Sequence, residues 1–103
     1  MIYLLCRIDT DDRLLFTVPL VYFSDKEKAD AACEYLYRAF TRWKTKLDGD
    51  FTKEDIDNAN KRFASDIAMY DSTSPDPGYM DGYCVKAIQA GTVHTVNSGN
   101  TSK

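Results

Sequence analysis

Three thiols, one imidazole and sixteen carboxylates are the groups in this 103-residue chain from which catalysis or metal binding would have to be built. A zinc site or a disulfide framework needs cysteines in closely spaced pairs. Cys6, Cys33 and Cys84 are odd in number and far apart in sequence. That pattern predicts free thiols acting as small core hydrophobes in a reducing compartment. Nothing marks an electropositive environment of the kind that activates a thiol. His94 stands in a polar C-terminal stretch without an acid or nucleophile close in sequence, whereas a catalytic imidazole needs an orienting partner on a rigid element. No Gly-rich phosphate loop or nucleophile elbow occurs. The expectation is a chain with no catalytic residue, no metal site and no cofactor.

The carboxylates offer two superficial metal motifs. Asp48-Gly49-Asp50 lies between two helical patterns, as a calcium loop would. Setting Gly49 at the sixth loop position places Lys44 and Lys46 where the first two carboxylate ligands belong, and ammonium groups do not coordinate Ca²⁺. Asp9, Asp11 and Asp12 cluster at a hairpin turn, where solvation of the turn is the simpler account.

Charge is more informative. Arg38, Arg42 and Lys46 recur every four residues along one side of a helical segment, beside Tyr35. Such a row suits phosphates, or simply places cations near a helix C-terminus. Asp48, Asp50 and Glu54 form an acidic patch immediately after it, suited to a basic partner or to the start of the next helix. The formal net charge of −3 disfavours binding to nucleic acid through overall charge. A hydrophobic fraction of 44% excludes wholesale disorder, and no apolar run approaches the length of a membrane span. The opening Met-Ile-Tyr-Leu-Leu-Cys has no basic leader, so the expected location is the cytoplasm, with no membrane partner.

These groups must be positioned by one small domain, expected over residues 1–90, with a flexible polar tail over 91–103 in which Val93 and Val96 could add a short strand. Ile2 to Ile8 reads as a strand apolar on both faces, and therefore central, with Ile2, Leu4, Cys6 and Ile8 on one side and Tyr3, Leu5 and Arg7 on the other. Asp9-Thr10-Asp11-Asp12 reads as a turn, and Leu14 to Phe23 as a returning strand in which Pro19 demands an edge or a bulge. Ser24-Asp25-Lys26-Glu27 fits a capping box, followed by a helix with the stripe Ala29, Ala32, Leu36, Phe40, Trp43 and Leu47. Thr52 to Asp55 fits a second capping box, with Phe51 and Ile56 spaced as a hydrophobic staple, before a helix with Ile56, Ala59, Phe63, Ile67 and Tyr70 inward. Residues 72–78 read as a loop, and Tyr83 to Ile88 as a third strand. The fold class is therefore α+β: a three-stranded sheet packed by a helical hairpin in the order ββααβ.

A helical hairpin covers one face of such a sheet, leaving apolar side chains on the other. Tyr3 and Leu5, with alternate residues of the second strand and either Tyr83 and Val85 or Cys84 and Ile88, are expected on that open face. An open apolar face of this kind marks an association surface, for a protein partner or for a second copy in a homodimer.

Three segments carry a family likeness: the strand Tyr3-Leu4-Leu5-Cys6-Arg7-Ile8, the junction Val21-Tyr22-Phe23-Ser24-Asp25-Lys26-Glu27-Lys28-Ala29, and the closing Asp81-Gly82-Tyr83-Cys84-Val85. From Met1 to about Gln89 the arrangement resembles the small ββα…β proteins encoded by many phages and mobile elements. A second helix at 52–70 departs from their simplest pattern. The resemblance implies an accessory factor that binds and blocks a host protein or complex, as inhibitors of CRISPR and other defence systems do. The expected function is thus a non-catalytic protein-binding inhibitor. The alternatives are a nucleic-acid-binding accessory protein using Arg38, Arg42 and Lys46, or a regulatory subunit of an enzyme.

Overall fold

A computed structural model describes residues 1–73 and 75–89; the expected tail, with His94, Val93 and Val96, lies outside them. Strand β1 (Ile2–Asp11) and strand β2 (Leu14–Phe23) form a hairpin, helices α1 (Lys26–Lys46) and α2 (Lys53–Ile67) follow, and strand β3 (Met80–Ile88) closes the sheet. The sheet is antiparallel with order β2-β1-β3, so the first strand is the central one, as its two apolar faces require.

The hairpin turn sits later than the aspartates suggest. Asp9, Thr10 and Asp11 are paired with Phe16, Leu15 and Leu14 inside the ladder, and Asp12-Arg13 make the turn. Both have positive φ, +46° and +74°, as a two-residue turn matched to strand twist requires. Pro19 meets both expectations at once, being on an edge strand and beside a register shift opposite Leu5 and Cys6. The extra residue is Leu20, which packs against the core.

Helix α1 is capped by Asp25, whose side chain accepts from the Glu27 amide, in place of the expected Ser24 box. An Asx cap one residue later satisfies the orphan donor equally well. At α2 the expected box is present. The Thr52 hydroxyl accepts from the Asp55 amide, and the Asp55 carboxylate accepts from the Thr52 amide. Phe51, the expected staple partner, is 46% exposed.

The core joins both helices to one face of the sheet. Ala32, Leu36, Ala39 and Phe40 of α1, Phe63 and Ile67 of α2, and Leu5, Met80 and Tyr83 of the sheet are buried together. Trp43 stacks on Phe40 at 5.9 Å between ring centroids and donates its indole N–H to Asn60 Oδ1 at 2.7 Å, which fixes α1 against α2. Strand β3 begins earlier than expected, at Met80, after a 3-10 turn over Pro77–Tyr79.

Candidate functional site

The position of Leu5 decides which sheet face is open. Leu5 is fully buried under the helices and Tyr3 is half-buried on the same side, so the pair expected on a docking surface lies on the helix-facing side instead. Apolar content was nearly equal on the two sides of β1, so alternation alone did not fix which one the helices take. The covered side contains the residues with Tyr83 and Val85 across from them; the open side is the other set.

Register assembles that open face. Across it Leu4 lies between Tyr22 and Lys86, Cys6 between Pro19 and Cys84, and Ile8 between Thr17 and Gly82, with Ile2 beside Ile88 and Thr10 beside Leu15. Tyr22, Leu15 and Ile2 expose 66%, 64% and 39% of their surface. Ile8, Leu4 and Ile88 are half-buried. The charged side chain among these partners is Lys86. Its Nζ donates to Thr17 Oγ1 at 3.0 Å, which carries it from β3 to β2 across the central strand and over Cys6. Cys6, flanked by Pro19 and Cys84 on this face, is only 1% exposed.

The other expected site residues occupy different surfaces. Arg38 pairs with Glu34 at 2.7 Å and Arg42 with Asp66 at 3.5 Å, so two cations of the α1 row are already matched by carboxylates. Lys46 ends the helix, exposed. Asp48, Asp50 and Glu54 are exposed on the α1–α2 connection and the first turn of α2. Asp48 also borders a shallow concavity with Tyr37, Thr41 and Lys44. The basic row and the acidic patch are consecutive along the chain, but both belong to the helical layer and neither joins the open sheet face.

A buried polar network was not foreseen. Arg7, 8% exposed, grips Asp9 with two hydrogen bonds (Nε–Oδ1 2.8 Å, Nη2–Oδ2 3.0 Å) and reaches Asp71 Oδ2 at 2.8 Å through Nη1. Nη1 also donates to the Thr73 hydroxyl, which in turn donates to Asp71 Oδ1 at 2.6 Å. Asp71 follows α2 and is held there by its own amide bonded to Ile67 O at 2.8 Å. The network therefore ties the end of α2 to the middle of β1. The paired carboxylates raise the affinity of Arg7 for its proton. The available sequence signal was a lone arginine in an apolar strand with an aspartate two residues on, and nothing in sequence linked it to residue 71.

Tyr83, opposite Arg7 in the ladder, has a buried hydroxyl without a hydrogen-bond partner. Burial, and then the Asp71 charge, push its phenol well above the usual value. Against one side of this network a shallow concavity of about 240 Å³ is bordered by Arg7, Asp9, Asp11, Phe16, Asp76 and Tyr79. Four of the five N–H donors of Arg7 are engaged by Asp9, Asp71 and Thr73, and its charge is matched by the two carboxylates, so that hollow is a poor site for an anion. Among the described residues no group of three or more His, Cys, Asp or Glu is arranged to hold a metal ion, and no helix is long and apolar enough to cross a membrane.

The site the geometry builds is thus an apolar sheet face with a polar strap over its centre. Comparison with known proteins finds no matching family model, no similar curated protein and no similar solved structure, so the likeness to small phage proteins rests on the sequence segments alone.

Proposed function

We propose that this protein is a non-catalytic binding module that docks its open sheet face onto the apolar surface of another protein. The observation that carries this reading is the exposure of Leu15, Tyr22 and Ile2 around half-buried Leu4, Ile8 and Ile88, on the face opposite the helical layer. Apolar side chains exposed at both ends of one sheet face are costly to leave in water and are favoured when a partner covers them. Charge narrows the partner. The face carries one ammonium, already engaged by Thr17, so it matches an apolar, near-neutral protein surface better than a phosphate backbone. The pairing of Arg38 and Arg42 with carboxylates further favours a protein over a nucleic acid.

Acting by occlusion, such a module inhibits whatever function the covered surface performs. This is the role that the resemblance to phage-encoded inhibitors implies, with a host protein or defence complex in the cytoplasm as target. A second copy of the chain presents the same largely apolar face and is the alternative occupant. The experiment is affinity capture from bacterial lysate with the wild-type chain and with a Leu15→Asp/Tyr22→Asp variant, beside sedimentation of each chain alone. A specific protein retained by the wild type and lost by the variant supports the reading. A wild-type dimer that the variant converts to monomer reassigns the face to self-association. Equal capture by both chains, with both monomeric, rejects it.

A further inference from the structure

Cys6 on β1 and Cys84 on β3 are direct partners across the antiparallel ladder, and both are free thiols. Their neighbours Leu5 and Val85 pack on the helix side, so alternation puts both cysteines on the open face. Opposed residues in such a ladder have Cα atoms about 4.5–5.5 Å apart, within the roughly 4.4–6.8 Å that a disulfide spans. Their Cβ atoms stand about 4.5–5.5 Å apart, somewhat wider than the roughly 3.5–4.5 Å of a relaxed bond. Closing the bond therefore draws β1 and β3 together, and a bond closed under strain is readily reopened by thiols.

The two sulfurs differ in access. Cys84 is half-buried, whereas Cys6 is only 1% exposed. Cys33 is the third thiol, on α1 and packed against the core.

We infer that Cys6 and Cys84 form a reversible modification site that exchanges with low-molecular-weight disulfides, oxidised glutathione being the probe of that class, to close a cross-strand disulfide within one chain. Cys84 gives its proton to solvent, and its thiolate attacks one sulfur of the external disulfide. That S–S bond breaks, and the released thiolate takes up a proton. Cys6 then loses its proton and attacks the Cys84 sulfur of the mixed disulfide, expelling the second small thiolate. Two protein thiols are oxidised by two electrons, and one external disulfide is reduced to two thiols. Burial pushes the Cys6 thiol up, which disfavours it as the first nucleophile, and in the second step the target sulfur held beside it compensates. The inference stands whether or not the open face docks a partner.

The test incubates the folded full chain with oxidised glutathione, quenches by alkylation, and maps the products by intact mass and peptide mass spectrometry. The expected result is a Cys6–Cys84 link within one chain, with the mass of two hydrogens lost, formed equally in a Cys33→Ser variant and reversed by reduced glutathione. Cys6→Ser is expected to trap the glutathione adduct on Cys84, whereas Cys84→Ser leaves Cys6 unmodified. A bond that includes Cys33, a link between two chains, or an adduct on Cys84 that persists in the wild type would each overturn the inference. So would oxidation seen only after the chain is unfolded in denaturant.

Discussion

At the scale of single residues, the structure turns on which polar groups are buried and how they are paired. Arg7→Met strands Asp71, whose side chain is fully buried, without its countercharge. Leaving one partner of a buried pair costs about 3–5 kcal/mol. Urea denaturation is expected to show a loss of that size, with much of it recovered in the Arg7→Met/Asp71→Leu double variant. Tyr83 offers the opposite case. Its hydroxyl is buried without a partner, and an unsatisfied group of that kind costs about 1–3 kcal/mol. Tyr83→Phe is therefore expected to raise stability by about 1 kcal/mol, read as a higher denaturation midpoint. The same variant has a pH signature. The folded phenol is raised above the unfolded value of 10.0, so its contribution is fully present below that pH and is lost as pH rises beyond it. Wild type and Tyr83→Phe should diverge further above about pH 10 in the variant's favour.

Elements were legible where local chemistry decides them. Thr52 and Asp55 announce α2 because their side chains satisfy amides three residues apart, and the structure has both bonds. Thr52→Ala is expected to cost about 1 kcal/mol, measurable by thermal melting. The central place of β1 and the irregularity at Pro19 were likewise readable, since two apolar faces and a missing donor leave few alternatives. What was not legible depended on contacts far along the chain. The side of β1 that meets the helices is settled by how Phe63, Leu36 and Tyr83 close over Leu5, and the burial of Arg7 by a carboxylate on residue 71. The turn was misplaced because aspartates favour turns wherever they occur, whereas here Asp9 is taken by Arg7 and the ladder runs through it. Arg13 bears the cost, sitting at φ +74° where a side chain is disfavoured. Arg13→Gly is expected to stabilise the hairpin by about 1 kcal/mol, visible as slower amide exchange in β1 and β2.

For the whole molecule, the two layers divide the labour. The helical layer carries ion pairs such as Lys26–Asp30 and Arg38–Glu34 beside exposed Tyr35 and Tyr37, while the sheet face opposite it exposes Ile2, Leu15 and Tyr22. This division makes surface substitutions separable from folding. Leu15 and Tyr22 are both largely exposed, so Leu15→Asp/Tyr22→Asp is expected to change stability by no more than about 0.5 kcal/mol per site, checked by the same thermal melt, while removing association.

The strand order has a consequence for how the chain is made. Of the three strands, the one made before the others is the middle one, and it gains its second neighbour only when residues 80–88 have been synthesised. Until then one flank of β1 shows an unpaired row of amides and carbonyls beside Leu4, Cys6 and Ile8, a template for pairing with another nascent chain. A truncation before Met80 should therefore yield aggregates rather than a smaller soluble domain, because the last strand shields the first.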